Sequence, residues 1–358
     1  MLVRCRAWSE VRGTLALLIA ALPFAACSAQ GQANDNSAGN ARNSQPEIQQ
    51  WSASTPKSMP EDIFFGARDG IAWFSAESDD ALGRFDFRTG KAGEIHLRPG
   101  SAPYAVVPHS GSGVQSTIYF TSEKGGFIGE FDPATRDVRE FRMPGARLRI
   151  RDLSFDPNGT IWFTVLKADL PGYPQGGEIG RLNLFSSEIT LTNVPTKSAN
   201  PFSLAINSEG IPFFTELDSA RLGSIDPVTK KITEFTLPNP AIGAANLTIT
   251  SDDAIWYTDR ARGYLGRFEP ATGKFEEWPS PGGKQSMPFA IASHGKIIWY
   301  SETGSNPNKI VRFDSGTHEF QSWSVKENGE IRFINVDADG NLWFTQPQSN
   351  VLARLTVN

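Results

Sequence analysis

An aromatic pair recurs seven times along the chain, as Trp73-Phe74, Tyr119-Phe120, Trp162-Phe163, Phe213-Phe214, Trp256-Tyr257, Trp299-Tyr300 and Trp343-Phe344. The interval is about 43 residues, with one longer excursion before Phe213. A unit of this size cannot bury its own apolar face and must stack on a neighbour, so repetition at this period marks radially arranged β-sheets. Every copy has the same parts. A short apolar run such as NPFSLAI (200–206) leads into a turn such as DPNG, NSEG or DADG, and the aromatic strand follows. Next come a segment reading LGR or IGR, a turn like DPATR or EPATG, and a run such as TEFTLP (233–238) or EEWPS (276–280). Four strands per unit follow from these turn-bounded aromatic and branched runs, and no stretch keeps a helical period. The expected fold is all-β, a seven-bladed β-propeller of four-stranded blades.

The strand count also predicts how the ring shuts. The last unit stops after its third strand, VLARLTV (351–357), whereas EIQQWSAS (47–54) resembles the fourth strands FEEWPS and EFQSWSV. Residues 47–53 are therefore expected to complete the last blade, which removes an open sheet edge and makes 47–358 one propeller.

Upstream of that strand the chain reads as an address. Arg4, Arg6 and Arg12 precede TLALLIAALPFAA, which is too short to span a bilayer and has the form of a signal-peptide core. It ends in Phe24-Ala25-Ala26-Cys27, which resembles a bacterial lipobox. The expectation is a leader over 1–26, a lipidated Cys27, and a polar, flexible tether over 27–46 that reaches on the order of 25 Å. Cys27 and Cys5 are the only two cysteines, so the mature chain would hold no intramolecular disulfide. Ser28 after the cysteine implies, by resemblance to such lipoproteins, the periplasmic side of an outer membrane, with the lipid as the sole membrane contact. A formal net charge of -5 gives no reason to expect a nucleic-acid partner.

Strand direction locates a working face. The start of each first strand and the end of each second strand share one mouth of the propeller. The repeat register places Asp62, Tyr104, Arg151, Phe202, Ala245, Phe289 and Arg332 at the first position. It places Glu77, Glu123, Val165, Glu216, Asp259, Glu302 and Gln346 at the second. Such a rim could recognise a polar ligand, because arginine forms forked hydrogen bonds to carboxylate or phosphate and aromatic rings supply apolar walls. The same acids and arginines could equally pair with one another and tie blades together. Glu216, Asp259 and Glu302, in adjacent blades, could offer a divalent ion its oxygens, as a metal-dependent lactonase would need, if they converge. His109, His294 and His318 fall in turns of the opposite face and His96 on an outer strand, so no histidine is expected at the mouth. Asp337-Ala338-Asp339-Gly340-Asn341 has the start of a calcium loop but occupies the ordinary first turn of its unit.

The succession WFT, IGR, a DPATG-like turn and EFTLP resembles the streptogramin B lyase family of seven-bladed propellers, over roughly residues 47–358. That resemblance implies an elimination that opens a cyclic depsipeptide at its ester with Mg²⁺. It also implies a histidine after proline in the sixth unit, a Glu-Pro-His-Gly stretch in the seventh, and a metal-binding glutamate after the last aromatic pair. This chain has Pro288-Phe289, Glu330-Ile331-Arg332-Phe333 and Gln346 at those places. Only Glu330 keeps its acid. Arginine cannot act as a base, and glutamine is a weaker ligand for a hard cation. The expectation is a binding propeller that holds a small anionic or aromatic ligand, or a peptide segment, around Arg332, Arg151, Tyr104, Phe202, Phe289 and Gln346. A surviving Mg²⁺-dependent lyase is the alternative.

Overall fold

The computed structural model describes residues 46–356 except 54, 57, 66–69, 110–116, 145–148, 167–175, 240–242 and 327–328. The expected leader and Cys27, with the tether through residue 45, lie outside the described residues. Residues 45–358 form one compact unit. It contains seven four-stranded antiparallel sheets, each a blade of a propeller. The innermost strands are Pro60–Phe65, Pro103–Pro108, Ile150–Phe155, Pro201–Ile206, Ala244–Ile249, Pro288–His294 and Ile334–Val336, and neighbouring ones touch around a closed ring. The aromatic pairs lie on the second strands, which are buried almost throughout because blades cover both of their faces.

Local sequence accounts for this. In the IGR-type third strands a Cβ added to Gly83, Gly129, Gly180, Gly223 or Gly266 would sit 2.0–2.1 Å from the ring of Phe74, Phe120, Phe163, Phe214 or Tyr257. The glycine is therefore the seat of the second-strand aromatic. The DPNG and DADG turns are anchored the same way twice. Asp156 Oδ1 accepts the Asn158 and Thr160 N–H groups while Oδ2 accepts Trp162 Nε1 at 3.2 Å. Asp337 binds the Asp339 and Asn341 N–H groups and Trp343 Nε1 at 2.8 Å. Both Asp337 oxygens are thus spent on the turn, as the turn reading of that segment requires.

In six blades the first strand carries a bulge, with one extra residue between its first and fourth positions. A bulge leaves a backbone N–H without its ladder partner. Here the serine or threonine after each aromatic pair accepts it: Asp62 N–H to Ser75 at 2.9 Å, Ala105 to Thr121 at 3.0 Å, Asp152 to Thr164 at 3.0 Å, Ser203 to Thr215 at 3.1 Å, Asn246 to Thr258 at 3.2 Å and Ala290 to Ser301 at 3.0 Å. Each hydroxyl then donates to a carbonyl of the next blade. Ser75 reaches Tyr104 at 2.6 Å, Thr215 reaches Ala245 at 2.6 Å, and Thr345 of the last blade reaches Glu61 of the first at 2.5 Å.

The ring closes as expected, through strand Glu47–Ser52 paired with Val351–Thr356. Trp51 stacks on Trp343 at 5.7 Å, and Arg354 donates to Gln49 at 2.6 Å. Gln346 belongs to this closure. It is fully buried; its amide nitrogen donates to the Gly329 carbonyl at 3.2 Å and its oxygen accepts from Gln50 at 3.4 Å. A carboxylate there would set an oxygen against the Gly329 carbonyl. Gln346→Glu is expected to cost about 1–3 kcal/mol at pH 8 and less at pH 5, where the new acid can protonate. Urea unfolding at the two pH values checks this, and equal stability of variant and parent at pH 8 would refute the role of the amide.

Candidate functional site

The bulges that create the hydroxyl belt also aim side chains into the axis. Counting each first strand from its opening residue, the second position is held by Glu61, Tyr104, Arg151, Phe202, Ala245 and Phe289; in the seventh blade Arg332 takes the equivalent place, two residues ahead of the short strand that opens at Ile334. The sequence register had put Asp62 in this ring; the structure moves it one place along, and Glu61 takes its position. Pro60 was the missed marker, since Pro60, Pro103, Pro201 and Pro288 all open their strands. The third position forms a deeper ring in which Asp62, Asp152, Ser203 and Asn246 each bond the backbone of the following blade.

At the mouth the Arg151 guanidinium is sandwiched between two rings, 3.7 Å from the Tyr104 centroid and 4.5 Å from that of Phe202. It also lies 3.3 Å from Glu123, which Arg149 clamps from outside. Phe289 packs edge-on against Phe202 at 6.0 Å, with the Arg260 guanidinium 5.1 Å over its ring. Arg332 stands opposite, 3.9 Å from Glu61 and 3.3 Å from Glu330, and Arg260 reaches Glu330 at 3.2 Å. The Nε of Arg151 has no hydrogen-bond acceptor, and that of Arg332 meets Glu330 only as an ion pair at 3.3 Å. Tyr104, Phe202, Phe289 and Phe333 wall the space between, which leaves ≈ 10 Å³ for the centre of a water, about one molecule. Arg149, Arg260, Glu61 and Phe333 were not foreseen. Arg260 directly follows the strand-end Asp259, and Arg149 precedes Arg151 by two residues, which is the signal that could have found them.

Of the acids expected at the ends of the second strands, Glu123 reaches the mouth, but those proposed for a divalent ion lie elsewhere. Glu216, Asp259 and Glu302 are fully buried, because each follows the belt hydroxyl and points to the other side of its blade. Glu216 accepts from Ser219 at 2.6 Å, Asp259 pairs with Arg262 at 2.6 Å, and Glu302 accepts from Ser280 at 2.5 Å and from the Gly282 N–H at 2.7 Å. They fasten loops within and between blades and do not meet. Among the described residues no three His, Cys, Asp or Glu side chains gather as a metal site would need. Glu330 faces two guanidinium groups and Gln346 is consumed by ring closure, so these residues do not fit Mg²⁺. His109 packs at a tilt against Phe155 at 4.7 Å and His318 lies in a turn of the far face, while His294, expected in a turn, ends the first strand of its blade.

Burial sets the protonation of the axis. It pushes Glu61 up to about 7 despite the opposing pull of Arg332, and Asp62 up to about 7 despite its backbone hydrogen bonds. Asp152 rises to about 6 for the same reason. A carboxyl whose pKa is raised on folding holds its proton more tightly in the native state. Its contribution to stability is complete below the ordinary value of 4.5 and is lost as pH climbs through about 7. For Glu61 the full effect is on the order of 3 kcal/mol. Glu61→Gln should therefore gain stability relative to the parent between pH 4.5 and pH 8. Parallel unfolding free energies across that range would contradict this.

A family model for the virginiamycin B lyase family matches residues 31–270 and 228–358. No curated protein sequence matches the chain. Among solved structures, a streptogramin B lyase superimposes with a TM-score of 0.77 at 25% identity, covering 87% of this chain and 98% of its own. Virginiamycin B lyase from Staphylococcus aureus does so with a TM-score of 0.76 at 24% identity, covering 88% of this chain and 100% of its own. A catalytically inactive variant of that enzyme with quinupristin gives the same figures, and a hydrazine synthase from Kuenenia stuttgartiensis shares the fold at 14% identity with a TM-score of 0.67. The repeat, the closed seven-bladed ring and the family match agree: this chain belongs to the virginiamycin B lyase family.

Proposed function

We propose that this propeller is a binding protein whose axial mouth takes the carboxylate or phosphate of a small ligand or peptide segment, with Arg332 as the principal contact. The observation that carries this is the charge balance. The ion pairs of Arg149, Arg151, Arg260 and Arg332 go to Glu61, Glu123 and Glu330, of which Glu61 is half neutral near pH 7, while Asp62 and Asp152 lie one layer deeper and are bonded to backbone N–H groups. The outer layer of the mouth thus carries more guanidinium than carboxylate charge on a chain that is acidic overall, which favours an anion there. Arg332 supports the assignment further, since its guanidinium is partly exposed and its contacts to Glu330 and Glu61, at 3.3 and 3.9 Å, are long enough for a forked anion to compete with them. Arg151 is held by two rings and a glutamate, so it shapes the site from below. The narrow axial space means that the anionic group caps the mouth while the rest of the ligand lies along the rim.

Elimination chemistry of the family type is disfavoured here. Glu330 is tied by two arginines, and Arg332 stands where a base would be needed; a guanidinium stays protonated and cannot remove a carbon-bound proton. A thermal-shift screen of carboxylates and organic phosphates tests the binding reading, because a ligand of the native state alone raises the melting temperature. A responding anion should lose tenfold or more in affinity with Arg332→Ala, measured under conditions where circular dichroism shows the variant folded. Unchanged affinity would remove the assignment, as would formation of linear product from a streptogramin B lactone with or without Mg²⁺.

We also propose that the chain is exported and held at a membrane by lipid on Cys27. The support is the basic, apolar, small-residue order of residues 1–26 and the polar stretch that follows. Metabolic labelling with a palmitate analogue should mark the protein, and Cys27→Ser should abolish the label; a labelled variant would refute the site.

A further inference from the structure

The face away from the mouth carries a second and much larger cavity, ≈ 410 Å³, between blades 5 and 6. Its size lies within the range of small-molecule sites. The propeller supplies its own comparison, because the equivalent groove between blades 7 and 1 is filled by the chain itself.

In both grooves a second-strand tryptophan stacks on a fourth-strand tryptophan at an interplanar angle of 20°, Trp343 with Trp51 at 5.7 Å and Trp256 with Trp278 at 5.5 Å. In both, a third-strand arginine lies over the inner indole, Arg354 at 5.4 Å and Arg267 at 6.0 Å. The third strand of the following blade sends a phenyl against the stack from the side, Phe85 in one case and Phe313 in the other. Two residues further on, the grooves diverge. Phe87 of blade 1 covers Trp343 with its ring at 5.7 Å. Its counterpart in blade 6 is Ser315. The match is fixed by the backbone, since Phe87 N–H donates to the Gly70 carbonyl and Ser315 N–H to the Lys296 carbonyl, each in the first turn of its blade. Ser315 and the adjacent Gly316 leave open the place where a six-membered ring sits in the sister groove, and the His318 ring, 5.2 Å from Trp278, bounds it on one side.

The rim of the open groove is not that of an apolar socket. Asp252 and Glu276 stand against Arg267 and Lys296, so the lining charges cancel and a charged ligand gains little. Asp252 is exposed, and Arg267 lies 3.4 Å from both acids. Carboxylates accept and guanidinium and ammonium groups donate, so the rim asks for a neutral ligand that does both at several points of its edge. The floor asks for a ring with a flat, weakly positive face, since an indole face is negative. A pyranose meets both demands, with C–H bonds on its face and hydroxyls around its edge.

We propose that the groove between blades 5 and 6 is a saccharide-binding site in which a pyranose ring packs against Trp278 at the edge of the Trp256–Trp278 stack and its hydroxyls are held by Asp252, Glu276 and Arg267. The site is separate from the mouth and does not depend on the reading given to it above.

Saturation-transfer NMR on the full-length protein tests this with glucose, galactose, N-acetylglucosamine and cellobiose as probes. At least one should receive saturation on its ring protons and bind with a Kd of about 1 mM. Ser315→Phe places in blade 6 the ring that blade 1 already carries in the same backbone setting; it should fold and weaken binding tenfold or more. Asp252→Asn, at an exposed position, should weaken it several-fold, whereas Arg332→Ala should leave it unchanged. The proposal is overturned if none of the four sugars receives saturation, if folded Ser315→Phe binds as the parent does, or if benzoate or indole competes more strongly than any sugar.

Discussion

The belt of Ser75, Thr121, Thr164, Thr215, Thr258, Ser301 and Thr345 hydroxyls is the interaction on which the rest of the structure depends. Each bulge in a first strand leaves one N–H that water cannot reach, and an orphaned buried donor costs about 1–3 kcal/mol. A hydroxyl is the smallest side chain that can both accept from that N–H and donate onward. It therefore solves a local problem within one blade and joins the blade to its neighbour in the same act. Thr345 to Glu61 completes the circuit across the point where the chain ends meet. The carbonyls that receive these bonds belong, in six cases of seven, to the residues whose side chains form the mouth. The positions of Tyr104, Arg151 and Phe289 are thus fixed by a structural belt one layer below them.

The belt also explains which parts of the site could be seen in the sequence. The repeat gives depth along the axis, and that much was legible: Tyr104, Arg151, Phe202, Phe289 and Arg332 lie at one level and touch one another or shared partners. Depth does not give direction. Glu216, Asp259, Glu302 and Gln346 sit at the same level, but each follows a belt hydroxyl, and consecutive strand residues point to opposite faces. Alternation thus sends these side chains into the packing between blades. The one-residue error at Asp62 has a related origin, since a bulge breaks the period of two on which register is counted. Arg260 and Arg149 belong to loops, where the repeat carries no register at all.

Gln346 shows how a departure from a repeat acquires its reason from topology. In blade 6 the corresponding Glu302 meets donors, the Ser280 hydroxyl and the Gly282 N–H. In blade 7 the corresponding loop presents the Gly329 carbonyl instead, and the fourth strand comes from the other end of the chain with Gln50. A group that must donate to one side and accept on the other is an amide. The closing blade is assembled from both termini, so its loop need not repeat the geometry of the other six.

The three positions at which this chain departs from the streptogramin B lyase pattern are therefore not independent vacancies. Phe289 is one wall of the aromatic cluster that seats Arg260; Arg260 and Arg332 share Glu330; Arg332 lies against Glu61, whose carbonyl anchors the belt; and Gln346 is locked into ring closure. Restoring an acid at 346 would meet the Gly329 carbonyl, and a histidine at 332 would leave Glu61 and Glu330 with one cation fewer in a buried setting, where unpaired carboxylates protonate. Each reversal alone costs stability before any chemistry is regained. The packing at the mouth has closed around residues that depend on one another, and it is this mutual dependence, more than any single substitution, that sets the mouth apart from the streptogramin B lyase pattern.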